Sequence, residues 1–202
     1  MLVNLRDGFK KAMDVENTTE LNLDYLCDLH KVLMKDLLPV HEQGIVGTTA
    51  VIIGASTYGP PADPGRLRSE IKFILSEANK YTDPFERSIY LHCNLAYLQY
   101  FRDGNKRTSR LMQTAAMAQG NILPLFFNDA LIDKYQRVTV SYYEAGNYSP
   151  YISFFKENYE LAILKLIGVH ATTLNAHESD EFNRRISCLS DLKNKTGAAR
   201  TF

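Results

Sequence analysis

The residues of this chain best suited to chemistry stand together between Gln99 and Arg110, in the order Gln-Tyr-Phe-Arg-Asp-Gly-Asn-Lys-Arg-Thr-Ser-Arg. Asp103 only accepts hydrogen bonds at neutral pH, and one carboxylate can hold Mg²⁺ while the ion keeps most of its waters. Gly104 lets the backbone turn sharply, so that successive N–H groups point into one concavity. Asn105 offers a donor and an acceptor to a phosphate oxygen or a metal-bound water. The loop opens a helix, whose free N–H groups and dipole favour an anion. Arg107 and Arg110 share a helix face, and guanidinium forks match phosphate oxygens. Lys106 adds a point charge beside them. This set describes a site for a nucleoside triphosphate with Mg²⁺. An exposed helix start whose arginines pair with nearby carboxylates also accounts for the same residues. The competing phosphate-loop pattern, GxxxxGK followed by Ser or Thr, is absent, as is GxGxxG.

The flanking sequence must position this loop. Asp83-Pro84 reads as an N-cap followed by proline at the first helical position, opening a helix to about Gln99. Ile89, Leu91, Cys93, Leu95, Ala96 and Leu98 make that helix apolar on most sides, which predicts a central, buried position. A second helix follows from Thr108 to Ala118, with Gly120 as a C-terminal stop. Upstream, Leu23, Leu26, Leu29, Leu33 and Leu37 recur at helical period until Pro39. His30 within that run is expected to be a surface or capping histidine. Residues 1–20 are mixed and read as a helix or a loose arm. Pro64 fits the first turn of a helix to about Lys80. Asn128 is a candidate cap for a helix to about Tyr143. Gly146-Asn147 turns the chain, and Ser149-Pro150 opens a long helix to about Ile167.

One stretch breaks the helical pattern. Glycines 44, 47, 54 and 59 punctuate β-prone residues at 48–53, including Thr48, Thr49, Val51, Ile52 and Ile53. A small hairpin is expected there. It is either a structural flap between helices or an edge that pairs with a partner peptide through main-chain hydrogen bonds. The whole predicts an all-α bundle of about seven or eight helices with one small β-hairpin. Its expected divisions are an N-terminal helical segment at 1–39, a core at 40–167 and a helical tail at 168–202.

Composition narrows the function classes. Lys plus Arg equals Asp plus Glu at 23 each in 202 residues, with no basic excess. That argues against a general nucleic-acid surface and against a polybasic membrane anchor. No apolar run reaches the roughly 18 residues of a membrane span, and the N-terminus lacks a signal-peptide pattern. Cys27, Cys93 and Cys188 are far apart and odd in number, which suits free thiols in a reducing cytosol. The expected location is therefore cytoplasmic.

Phe101-Arg102-Asp103-Gly104-Asn105-Lys106-Arg107-Thr108-Ser109-Arg110 resembles the signature of Fic (Fido-fold) proteins, HPF, any residue, Asp or Glu, then GNGRxxR. The Asp83-Pro84 helix with Leu91-His92, the flap before Pro60-Pro61, and Tyr143-Glu144-Ala145-Gly146-Asn147 also fall where such proteins have counterparts. The resemblance covers roughly residues 40–165. It implies transfer of AMP from ATP, or of phosphate in relatives of the Doc toxin type, to a hydroxyl side chain of a target protein. By that resemblance Asp103 binds Mg²⁺, Gly104 and Asn105 hold phosphates, and Arg107 and Arg110 neutralise the distal phosphates. Residues 48–53 become the flap along which a protein substrate or partner lies, and a homodimer is possible.

Two departures bear on chemistry. The family histidine, the general base for the attacking hydroxyl, falls at Gln99, and the following proline at Tyr100. Glutamine cannot take that proton near neutral pH, and loss of a general base costs about 10²- to 10⁴-fold. His92 lies two helical turns upstream, too far for direct transfer, and His41 near the flap has no assigned place. Lys106 replaces a glycine, as in the Doc type, and is expected to obstruct the usual β-phosphate position. These departures leave a non-catalytic nucleotide- or peptide-binding module as the alternative to a transferase. The family's inhibitory helix carries Ser or Thr, three residues, Glu, then Gly or Asn. Ser153 to Asn158 fits those letters but lies in a core helix and reads as coincidence, whereas Glu178 is the inhibitory candidate.

Overall fold

The computed structural model describes residues 1–48, 52–54, 56–127 and 129–167. Seven α-helices occur among them: α1 Leu2–Met13, α2 Leu23–Met34, α3 Pro64–Ala78, α4 Pro84–Leu98, α5 Asn105–Gln119, α6 Ile132–Ala145 and α7 Ser149–Ile167. The all-α expectation therefore holds. No strand occurs among the described residues, and residues 49–51 of the expected hairpin lie outside them. The expected cap Asn128, the tail at 168–202 and Glu178 lie outside them too. The chain divides into two compact units, Met1–Pro124 and Leu125–Phe202. No described helix is long and apolar enough to cross a membrane.

Local chemistry sets the helix starts of the first unit. Asn22 accepts from the Tyr25 N–H at 3.0 Å to begin α2. Asp63 and Asp83 do the same for α3 and α4, each followed by proline in the first turn. A side-chain oxygen at this position satisfies a helix N–H that has no partner within the helix, and is worth about 1 kcal/mol. Helix α4 is the centre of the unit, with 12 of its 15 residues buried. It packs mainly on α5 and α3, while α1 and α2 pack on each other and on α5. Residues 2–13 are thus a packed helix rather than a loose arm. At Gly8, a Cβ would stand 2.8 Å from Leu111 Cδ1, so α1 approaches α5 closely there.

Gly120 does end α5, but not by turning left-handed. Its φ is −83°, and Asn121 takes the left-handed conformation instead. Glycine is required at 120 because a Cβ would lie 2.3 Å from the Pro84 Cβ. The end of α5 thus meets the start of α4. Arg87 reinforces this corner, donating to Gln119 Oε1 and Asn79 Oδ1.

In the second unit, α6 packs on α7. Phe127, Tyr135 and Phe154 form an aromatic cluster with centroids 5.0 to 6.1 Å apart. Gly146 closes α6 with φ +65°, as the turn residues predict. Glu157 pairs with Lys134, and Asn158 donates to the Phe126 carbonyl at 2.8 Å. The stretch from Ser153 to Asn158 thus takes part in the local contacts of α7.

Candidate functional site

The charged loop lies between α4 and α5, and its shape comes from two left-handed residues. Gln99 ends α4 with φ +53° and ψ +49°. Gly104 stands at the N-cap of α5 with φ +77°. Asn105 holds the loop between them. Its Oδ1 accepts from the Phe101 N–H at 2.8 Å, and its Nδ2 donates to the Phe101 carbonyl at 2.7 Å and to Gln99 Oε1 at 3.1 Å. Gln99 Nε2 donates in turn to the Ala96 carbonyl. Gln99 and Asn105 are both buried. Their amides therefore face each other and the backbone.

Asp103 sits at the rim, its side chain 61% exposed. Its Oδ1 accepts from the Gly104 N–H at 2.6 Å, and Oδ2 meets the Arg107 guanidinium at 3.2 Å. A divalent ion at this carboxylate would compete with the Arg107 i,i+4 pair, worth about 0.3–0.5 kcal/mol, and with the Gly104 N–H bond to Oδ1. Among the described residues no cluster of three metal-ligating side chains occurs. One carboxylate with ligand phosphates is the usual donor set for Mg²⁺, so Asp103 fits that ion in company with a phosphate rather than alone.

Positive charge accumulates on the first turns of α5. Lys106 is half-buried, and burial first and the Arg110 guanidinium second push its pKa below the ordinary lysine value. His92, fully buried on α4, is held down to about 3, by burial first and then by the nearby charges of Arg110 and Lys106. Its Nδ1 lies 3.3 Å from Ser109 Oγ. Cations that raise one another's energy beside a helix N-terminus form a site that an anion would relieve.

The largest correction concerns His30, expected to be a surface or capping histidine. It is fully buried on α2, and it contacts both the loop and the start of the flap segment. Its Nδ1 accepts from the Gly44 N–H at 2.7 Å, which leaves the proton on Nε2. Nε2 donates to the Asp103 carbonyl at 3.0 Å. The ring stacks on Phe101 at 3.8 Å with an interplanar angle of 10°. Burial lowers its pKa to about 4, consistent with the neutral ring those two bonds demand. Beside it, a Cβ on Gly104 would stand 2.7 Å from Met34 Sδ and 3.5 Å from His30 Cδ2.

The flap segment reaches the loop through backbone. The Gly47 N–H donates to the Tyr100 carbonyl at 2.8 Å, and a Cβ at Gly47 would lie 3.1 Å from the Arg102 nitrogen. Glu42 pairs with Arg102 alongside. Thr48 and Ile52 are exposed, Ile52 at 94%, whereas Ile53 is buried. Thr49 and Val51 lie outside the described residues. The structure thus gathers Gln99 and Asp103 to Arg110 around one helix start, with the base of the flap segment against it. Sequence reasoning missed His30 and Gly47. The signal for Gly47 was its place in a glycine-punctuated stretch. For His30 it was the helical register, which puts it four residues after Leu26 and three before Leu33, both buried.

A sequence profile described as the Fic/DOC family matches residues 20–117. The chain is 26% identical over 159 residues to the protein adenylyltransferase fic-1 of Caenorhabditis elegans, covering 76% of this chain and 30% of that protein. A protein adenylyltransferase Fic of Nematostella vectensis is likewise 26% identical, over 73% of this chain and 36% of its own length. Among solved structures, residues 134 to 508 of C. elegans Fic-1 align with a TM-score of 0.69 at 22% identity, covering 83% of this chain and 50% of that one. A Fic family protein from Desulfovibrio desulfuricans G20 aligns with a TM-score of 0.65 at 18% identity, over 91% and 61% respectively. The fold and the loop it carries define a helical domain of Fic type. Residues 20–117 match the Fic/DOC family, the fold is that of the solved Fic proteins, and the chain spans about a third of the length of the curated relatives it matches.

Proposed function

We propose that this chain binds ATP with Mg²⁺ at the start of α5 and is related to enzymes that transfer AMP, or phosphate, to a hydroxyl of a target protein, with the transfer step impaired or altered. The crowding of Lys106 and Arg110 at a helix start turned by Gly104 carries the binding half of this reading. The backbone N–H of Asn105 after the Gly104 turn, with Lys106, Arg107 and Arg110, would hold phosphates, and Asp103 would hold Mg²⁺ once its carboxylate releases the Gly104 N–H. Bound there, the nucleotide would supply the group transferred. The matched relatives are named protein adenylyltransferases, which supports the class of reaction. A target segment would lie along residues 48–53, where Thr48 and Ile52 face outward.

Gln99 carries the impairment. Its side chain is buried and its amide is committed to Ala96 and Asn105, so no group there can accept a proton from an attacking hydroxyl. That observation also favours the second reading, a nucleotide- or peptide-binding module without turnover. Calorimetry with ATP–Mg²⁺, followed by incubation with labelled ATP and a lysate, separates the readings. Binding is expected in both, and it should fall at least about tenfold in Arg107→Ala, since charge-assisted bonds to phosphate are the strong ones. The transferase reading expects weak labelling by the natural chain and a gain of about 10²-fold or more in Gln99→His. Binding without labelling in either form supports the module. Absence of ATP–Mg²⁺ binding refutes the proposed site.

A further inference from the structure

The geometry points to His30 as a positioning residue that sets the anion loop and the base of the flap segment together, through a different ring nitrogen for each. The inference deepens the nucleotide-site reading and rests on it for its ligand arm only. Three observations carry it. Nε2 donates to the Asp103 carbonyl, the last carbonyl before the Gly104 turn, and so fixes the peptide plane whose N–H belongs to Gly104. Nδ1 accepts the Gly44 N–H, and Gly44 is itself left-handed at φ +69°, with no room for a Cβ against the Cys27 carbonyl. The ring face lies flat on Phe101, whose backbone N–H and carbonyl are both held by Asn105. One buried imidazole thus touches the two segments that would flank a nucleotide and a target peptide.

The arrangement is tautomer-specific. The Gly44 N–H can donate only to an unprotonated Nδ1, so the single ring proton is on Nε2 and aimed at Asp103. No other neutral side chain presents an acceptor and a donor about 2 Å apart on a rigid ring of this size. The two bonds can, however, be kept one at a time. Asparagine places an oxygen near the Nδ1 position and can still accept from Gly44. Glutamine places an N–H near the Nε2 position and can still donate to Asp103. Phenylalanine keeps the stack on Phe101 and loses both bonds.

The test uses the full chain and two readouts, hydrogen exchange of the Gly44 and Gly104 amides and calorimetry with ATP–Mg²⁺. His30→Gln is expected to speed Gly44 exchange about tenfold, the scale of one net hydrogen bond, with Gly104 exchange and ATP–Mg²⁺ affinity near the natural values. His30→Asn is expected to give the reverse, slow Gly44 exchange with faster Gly104 exchange and affinity reduced about tenfold. His30→Phe should show both losses. A generic core role predicts the same uniform change in all three variants, tracking overall stability, and that result would overturn the inference. Should His30→Phe fail to fold, the contrast between the Gln and Asn variants still decides. If the natural chain does not bind ATP–Mg²⁺, the proposed nucleotide site fails, while the exchange contrast still supports or overturns the role of His30.

Discussion

Replacing Gly104 with alanine separates backbone strain from side-chain crowding at the turn that opens α5. Two costs add. A non-glycine residue at φ +77° loses about 1–2 kcal/mol to contact of its Cβ with the following carbonyl. The new Cβ would also stand 2.7 Å from Met34 Sδ, and forcing one extra carbon into a packed site costs about 1–3 kcal/mol. The sum is about 2–5 kcal/mol. For a chain of this length each kcal/mol lowers the melting temperature by about 2–4 °C, so a fall of about 7–14 °C is expected for a mid-range loss of about 3.5 kcal/mol. Met34 is fully buried, and its sulfur is the near end of the clash. In a Met34→Ala background the crowding disappears and only the backbone share remains. A double-mutant cycle by urea unfolding should therefore give a coupling of about 1–3 kcal/mol between the two positions. A cost for Gly104→Ala below about 0.5 kcal/mol, or an equal cost in both backgrounds, would refute this account of the turn.

Two further outcomes follow from buried and exposed charge. His92 has a folded pKa of about 3 against an ordinary value near 6.5, so its contribution to stability is complete above about pH 6.5 and is lost as the pH falls towards 3. Between pH 7 and 5 that amounts to about 2 kcal/mol, and urea unfolding of His92→Gln should show a pH dependence smaller by that amount; equal dependence in the two proteins contradicts the burial argument. Arg102→Ala removes the pair with Glu42, whose arginine side is 55% exposed, and should cost no more than about 1 kcal/mol by the same measurement; a loss above about 2 kcal/mol would give this rim pair a structural weight its exposure does not support.

The legible part of the fold was the part written in local chemistry. Asp63-Pro64, Asp83-Pro84 and Gly146 each announce a helix end through a side chain or a dihedral that needs no partner from elsewhere in the chain. The all-round apolar run of α4 likewise gave its central position. What stayed hidden depended on contacts between distant segments. Gly120 reads as a helix stop in sequence, yet the reason is Pro84, 36 positions away, whose ring leaves no space for a Cβ. His30 is polar in an apolar stripe, and sequence alone offers no sign that Gly44 and Asp103 would converge on its two nitrogens. A polar side chain is buried when its partners are, and those partners lie 14 and 73 positions away along the chain.

The site shows the same division in sharper form, because residue type and residue use diverge within one loop. Asp103, Lys106, Arg107 and Arg110 are charged and remain at least partly accessible, so their types announce an electrostatic task that their placement on α5 permits. Asn105 and Gln99 are amides, and an amide is equally suited to a ligand or to a neighbouring backbone. Here the Asn105 side chain binds both main-chain groups of Phe101, and Gln99 accepts from its remaining N–H. The glutamine is thus more than a missing base. It extends the bracing of the loop back to α4 through Ala96, so a histidine at 99 must either replace that link or leave the Asn105 amide one bond short. One lost hydrogen bond at a buried amide costs about 1–3 kcal/mol, enough to offset part of any gain from restoring a base. Transfer by Gln99→His therefore measures the sum of a recovered proton acceptor and a loosened loop, and the same variant's affinity for ATP–Mg²⁺ reads the second of these alone.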